Sequence, residues 1–379
     1  MHIFISAGEA SGDLHGSSLA RALRSISPET RLSCLGGPRL REAGVSVVVD
    51  HRDISVFGGS EVLGHIRAIY GSWRILRSHL LADPPDLVVL IDFPDFNFFL
   101  GKFAKKIGAR VFYYISPQVW AWRERRVKTL KRLVDRMAVI LPFEKAFYKS
   151  HGMAVDYVGH PLVDIIGSTP DAAASKTKCR GDIHGPLVGI LPGSRRSEIK
   201  LLFELLMDSA RLVFHGVPEA KFIIPVAPSL DTAMIEGLAA KWELPVRVVS
   251  GDTYGVIQAC DLILTSSGTV TLEAAMLGTP MIITYRISRL SAAIGRLLLS
   301  KREWIFGLPN LIAGRQVAPE FMQETARADL IAAEAISHLR NPERLETQRR
   351  EFMRIRGQLG EPGIAEHVAR LVLETAKGG

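Results

Sequence analysis

The chain has 379 residues, enough for two domains of ordinary size with a full core in each. Its 47% hydrophobic and 23% charged content excludes a disordered chain. The formal net charge of +8 points to an acidic partner, whether nucleic acid, anionic lipid or phosphorylated substrate, without choosing among them. Three scattered cysteines, Cys34, Cys179 and Cys260, predict no disulfide framework and a reducing compartment. The opening MHIFISAGEASGD enters a strand at once, as expected of a chain without a secretory leader. No stretch of about 18 apolar residues occurs, so any membrane contact is expected to be peripheral.

Short apolar runs predict strands over 3–6, 31–35, 45–49, 86–91, 111–115, 137–141 and 156–158, with helical patterns between most of them. Runs so short and continuous read as strands buried on both faces of a parallel sheet. The first is followed by GEASGD, residues 8–13, whose glycines allow close approach of a ligand. It is not GxGxxG, so a dinucleotide site is not expected, and a plain strand-to-helix turn is the other reading.

The segment 62–80, VLGHIRAIYGSWRILRSHL, places Val62, Ile66, Ile69, Trp73, Leu76 and Leu80 at helical spacing, with Arg67, Arg74 and Arg77 interleaved. It is either an amphipathic helix lying in a membrane interface, led by Val62, Leu63, Ile66, Ile69 and Trp73, or a helix packed on the sheet. After the fourth strand, Asp92 and Asp95 in IDFPDFN stand at a carboxyl edge among Phe93, Phe96, Phe98 and Phe99. Apolar surroundings raise a carboxylate's proton affinity and suit general-base work, while a turn whose acids cap backbone amides is the alternative. Residues 123–136 carry seven lysines and arginines, a solvated face or one turned toward anionic lipid.

Residues 164–186 are small, polar and rich in Gly and Pro, and read as a linker. Alternation resumes with strands over 187–191, 221–226, 246–249, 262–265 and 281–285, and turns helical after about residue 325. The second-half run LPGSRRSE gathers Gly193, Ser194, Arg195 and Arg196 at a helix start, which suits a diphosphate; an N-capped helix with exposed arginines is the plainer account. LILTSSGTVTLEAAMLGTP, residues 262–280, reads as strand, turn and helix. Ser267, Gly268 and Thr269 would cradle a phosphate, and Glu273 one turn on would reach a sugar hydroxyl. The plain reading is a βαβ turn with a surface glutamate. There is no HExxH, no Cys/His cluster, no DxD and no GxSxG, so neither a metal nor a nucleophile elbow is expected. No RNA-binding or helix-turn-helix pattern accompanies the positive charge.

Taken in order, SAGEASGD, FPDFN, YYISPQVWAWR, ILPFE, YVGHPLVD, LPGSRRSEI, SSGTVTLEAAMLGTPMIITYR and LPNLIAGR run from residue 6 to about 315. In this set the chain resembles the bacterial lipid-A-disaccharide synthases, glycosyltransferases of the two-domain GT-B fold. The resemblance implies an α/β chain: two Rossmann-like doubly wound domains facing a cleft. These are an acceptor and membrane-facing domain over 1–164, a linker over 165–186, a UDP-donor domain over 187–340, and C-terminal helices over 341–379 that pack back. It implies transfer from UDP-2,3-diacylglucosamine to 2,3-diacylglucosamine 1-phosphate with inversion, without a metal, on the cytoplasmic face of the inner membrane. Asp95 is then the expected base and Asp92 its reserve. Gly193, Ser194, Arg195, Ser267, Gly268, Thr269, Glu273 and Asn310 fall to the donor, and Gly8, Glu9 and Ser11 to the acceptor. A homodimer is expected. Alternatives are another GT-B UDP-sugar enzyme, such as a 2-epimerase or a peptidoglycan-precursor transferase, and a non-catalytic UDP-sugar-binding membrane protein.

Overall fold

A computed structural model describes residues 1–54, 62–122, 124–167, 172–286 and 306–378. The chain divides into two compact units, residues 1–164 with 359–379, and residues 165–358.

In the first unit β1 (His2–Ala7), β2 (Arg31–Gly36), β3 (Ser46–Asp50), β4 (Leu87–Ile91), β5 (Arg110–Tyr114), β6 (Arg136–Val139) and β7 (Asp156–Tyr157) form one sheet in the order 3-2-1-4-5-6-7. All its pairings are parallel; Ile3 sits opposite Leu32 on one side and Leu87 on the other. β1 and β4 are buried along their whole length, whereas edge strand β3 is partly exposed. That contrast explains the continuous apolar runs, since strands covered on both faces have no polar side to alternate with.

The second unit repeats the plan. β8 (Leu187–Leu191), β9 (Lys221–Val226), β10 (Val246–Ser250), β11 (Leu262–Ser266), β12 (Met281–Tyr285) and β13 (Glu320–Met322) are all parallel in the order 10-9-8-11-12-13. Its core joins Val188, Ile190, Phe222 and Leu264 of the sheet to Phe203 and Leu206 of the helix Arg196–Gly216. In each sheet the order reverses between two adjacent strands, β1 and β4 in the first unit and β8 and β11 in the second. Loops diverge there, leaving a crevice outside the carboxyl ends of the strands where such folds bind ligands.

The stretch expected as a linker contains a helix, Ala172–Arg180, packed against the helix Thr253–Ala259. Its AAASKTKCR sequence is short and polar, but alanine is the best helix former. Arg180 ties it down, donating to the Ala259 carbonyl at 2.9 Å and to Asp261 at 3.0 Å. The helix Pro342–Gln358 stays with the second unit, and the chain returns to the first only from residue 359.

The return explains YVGHPLVD. Gly159 (φ +88°) and Gly360 (φ +98°) cross back to back, and a Cβ on Gly159 would lie 2.7 Å from the Leu359 carbonyl oxygen. Asp164 accepts from the Gly363 and Ala365 amides at 2.7 and 2.9 Å, which starts the helix Ile364–Lys377. That helix lies against the helix Ala10–Ile26, and Arg136 pairs with its Glu374 at 2.8 Å.

Candidate active site

The first unit's reversal point carries GEASGD after β1 and FPDFN after β4. Both Asp92 and Phe93 have φ of 44°, a left-handed pair that non-glycine residues avoid. Such strain persists only where neighbours over-determine it. Asn97, fully buried, donates to the carbonyls of Ile91 (3.1 Å) and Asp92 (2.7 Å) and accepts from Ser6 Oγ at 2.6 Å. Tyr113 on β5 donates its hydroxyl to the Asp92 carbonyl at 2.8 Å. Gly8 completes the clamp: a Cβ there would sit 2.1 Å from the Phe93 ring, so only glycine lets the two loops meet. Replacing Asn97 by Ala takes their partner from the buried Ile91 carbonyl and Ser6 Oγ and leaves the Asp92 carbonyl to Tyr113 alone. We expect thermal unfolding of the first unit to show a loss of roughly 2–5 kcal/mol.

This turn separates the two acids. Asp92 is half-buried; burial first, and the nearby Glu9 carboxylate second, push its carboxyl up to about 6. Asp95 lies in the first turn of the helix Pro94–Lys106 with its side chain 78% exposed, and Arg126 Nη2 contacts its Oδ1 at 2.9 Å. Of the residues expected at the acceptor, Gly8 is buried, Glu9 half-buried and Ser11 exposed. Asp13 of the same motif is buried and accepts from the amides of Gly37 (2.7 Å), Arg39 (2.9 Å) and Leu40 (3.2 Å), so it builds the loop after β2. Burial pushes His15 and His160 down to about 4 and about 3, which leaves both imidazoles neutral at pH 7.

SPQVWAW and LPFE follow β5 and β6. Glu144, buried, accepts from the amides of Ile140 (3.1 Å) and Leu141 (2.9 Å) and from Trp120 Nε1 (3.3 Å); burial nonetheless pushes its carboxyl up to about 7. An acid whose folded value lies above its unfolded one holds its proton longer when folded. Its contribution to stability is therefore full below about pH 4.5 and declines as pH rises through about 7. Relative to Glu144→Gln, the native chain should lose about 2–3 kcal/mol between pH 5 and 8, read by denaturant titration at each pH.

In the second unit LPGSRRSE follows β8 and SSGT follows β11. Glu198 Oε2 already accepts from the amides of Ser194 (2.7 Å) and Arg195 (3.2 Å), so these amides are turned inward to the helix cap. The exposed side chains of Ser194 and Arg195 are what the loop presents outward. Ser267 donates its amide to the Thr284 carbonyl of β12 at 3.0 Å, while Gly268 and Thr269 are exposed at the start of the helix Thr269–Met276. Amides of a helix's first turn have no intrahelical acceptor, and no side chain caps this one. Glu273 is half-buried, accepts from Tyr254 Oη at 3.2 Å and is shifted up by burial.

Asn310, expected against the donor, is instead fully buried with both ends of its amide engaged. It accepts from the amides of Val317 (2.7 Å) and Ala318 (2.8 Å) and donates to the Ala318 carbonyl (2.8 Å) and Glu320 (2.6 Å). Glu320 in turn accepts from the amides of Phe306 and Gly307. In this structure LPNL is a fastening of the chain beside β13.

The helix Val62–Ala82 buries Ser72, Leu76 and Leu80 against the sheet and exposes Tyr70, Ile75 and, at 40%, Ile69. Trp73 is half-buried, edge-on to Phe99 at 4.4 Å and Phe103 at 5.1 Å. The side chains of Val62, Leu63 and Ile66 lie outside the described residues. Among the described residues no helix is long and apolar enough to cross a membrane.

A profile of the lipid-A-disaccharide synthetase family matches residues 3–373. The chain is 45% identical to the lipid-A-disaccharide synthase of Geobacter sulfurreducens over 98% of its own length and 96% of the relative's. It is 40% identical to that of Nitrosococcus oceani over 99% and 96%. The chain belongs to the lipid-A-disaccharide synthase family. Members are hexosyltransferases, and this chain is a glycosyltransferase that forms a lipid A disaccharide. Among solved structures it superposes on the UDP-GlcNAc 2-epimerase of Neisseria meningitidis bound to UDP-GlcNAc, with a TM-score of 0.65, 13% identity and full coverage of both chains. The glycotransferase of kitacinnamycin gives a TM-score of 0.62 at 16% identity, covering 99% and 98%. These likenesses establish the fold alone; membership of the synthase family over the whole chain decides against the epimerase alternative.

Proposed function

We propose that the chain is an inverting transferase joining UDP-2,3-diacylglucosamine to 2,3-diacylglucosamine 1-phosphate to give the β-1,6-linked disaccharide 1-phosphate and UDP. One observation supports this above the rest: each sheet brings two of the family motifs to its own reversal point, carboxylates in the first unit and Arg195 with the exposed helix start at Thr269 in the second. The first unit takes the acceptor beside Gly8, Glu9 and Ser11, and the second takes the nucleotide.

The acceptor's C6 oxygen attacks the donor's anomeric carbon as the bond to the β-phosphate oxygen breaks. Asp95 takes the hydroxyl proton, and UDP leaves with the bonding electrons. Asp95 serves because its side chain is the more exposed of the two acids and so the easier for an incoming hydroxyl to reach, and reach precedes proton affinity in choosing a base. The Arg195 guanidinium and the amides at Gly268 and Thr269 stabilise the charge growing on the diphosphate, a role a metal fills in other transferases. Glu273, steadied by Tyr254, holds the ribose hydroxyls. Glu273→Gln should raise the KM for donor about tenfold and leave kcat nearly unchanged, as measured by initial rates against donor concentration.

The exposed Ile69, Tyr70 and Ile75, flanked by exposed Arg74 and Arg77, seat the helix Val62–Ala82 on the anionic cytoplasmic leaflet, where acylated substrates reside. Mass spectrometry of products after incubation with both substrates and EDTA tests the reaction. Disaccharide phosphate is the expected product. Its absence without EDTA would remove the reading, and its loss only on adding EDTA would remove the metal-free mechanism.

A further inference from the structure

The contact between Arg126 and Asp95 has no part in the reaction just described, yet it sits on the proposed base. Arg126 ends the short turn Glu124–Arg126, with its guanidinium carbon 5.3 Å from the Phe98 ring centre and its Nη2 2.9 Å from Asp95 Oδ1. Its side chain is 32% exposed and that of Asp95 78%. The pair is thus open to water, where a single guanidinium–carboxylate contact is weak and easily exchanged. A phosphomonoester is the stronger partner: it carries more charge and accepts two parallel N–H bonds from the guanidinium fork. The aromatic face of Phe98 can keep the cation close while its hydrogen-bond partner changes.

Resting on the acceptor assigned above, we propose that Arg126 reads the acceptor's phosphate. Its guanidinium exchanges the Asp95 contact for the phosphomonoester as the attacking hydroxyl approaches the carboxylate. An acceptor without the phosphate offers the guanidinium no stronger partner, so the same arginine sets specificity.

Initial rates test this with the acceptor bearing or lacking its phosphate, in neutral detergent micelles and again in anionic phospholipid vesicles. The wild type should prefer the phosphorylated acceptor in kcat/KM. Arg126→Ala should cut that preference about 10- to 100-fold in micelles, mainly by losing rate on the phosphorylated acceptor. Arg126→Lys, which keeps the charge without the fork, should retain an intermediate preference. Arg125→Ala, an exposed neighbour, should keep the wild-type ratio. An equal loss on both acceptors would mark a structural role and overturn the proposal, as would an unchanged preference. A change confined to anionic vesicles would assign the guanidinium to lipid headgroups and overturn it too. Absence of disaccharide from the wild type with either acceptor would instead strike the acceptor assignment itself.

Discussion

Asp95→Asn should lower kcat by about 10²- to 10⁴-fold while the KM for donor stays within about twofold of wild type. The amide keeps the shape and neighbours of the carboxylate but accepts no proton. Because Asp95 is exposed and its pair with Arg126 is solvated, the folded unit should lose less than about 1 kcal/mol, and thermal unfolding checks that the defect is chemical. Asp92→Asn is the comparison. Asp92 stands in the strained turn with its backbone gripped by Asn97 and Tyr113, so its loss should cost rate less than that of Asp95. A near wild-type rate for Asp95→Asn, with a collapse for Asp92→Asn, would move the base three residues back along the chain.

Arg195→Ala should lower kcat by about 10²- to 10³-fold, the range found when one donor to a developing oxyanion is removed. Its backbone amide is engaged by Glu198 and is unaffected by the substitution, so the loop should keep its form. The defect is then electrostatic, and Arg195→Lys should recover part of it, since a point charge replaces the fork. Equal losses in Ala and Lys variants would assign Arg195 to bidentate geometry, and no loss would take it out of the site. Steady-state rates at saturating donor separate these outcomes.

The twelve strands expected from the sequence are present: those buried on both faces leave a continuous apolar run, and the partly exposed β3 and β10 are still rich in β-branched valine. β13 escaped notice: Glu320, Phe321 and Met322 are too few to show a period. The helix Ala172–Arg180 escaped because alanine, serine and lysine suit linkers and helices alike. Motif positions were legible, since GEASGD, FPDFN, LPGSRRSE and SSGT each follow a strand, and the sheet orders put those four strands at the reversal points. Side-chain direction was not. Asp92 and Asp95 look equivalent in FPDFN, and only a turn with two positive φ values sends one inward and the other to solvent. Asn310 looks like a ligand contact beside Pro309, but its partners Val317, Ala318 and Glu320 lie seven to ten residues ahead. Asn97 was visible within its motif, yet its role as the clamp depends on Ser6, distant in sequence and joined to it only by the pairing of β1 with β4.

The proposed reaction is one in-line displacement at the anomeric carbon. Proton NMR of the disaccharide made by the wild type from α-linked UDP-2,3-diacylglucosamine tests that step directly. A large H1–H2 coupling on the transferred sugar, with the linkage at C6 of the acceptor, is the predicted result. A small coupling, the mark of a retained α configuration, would contradict a single displacement assisted by Asp95.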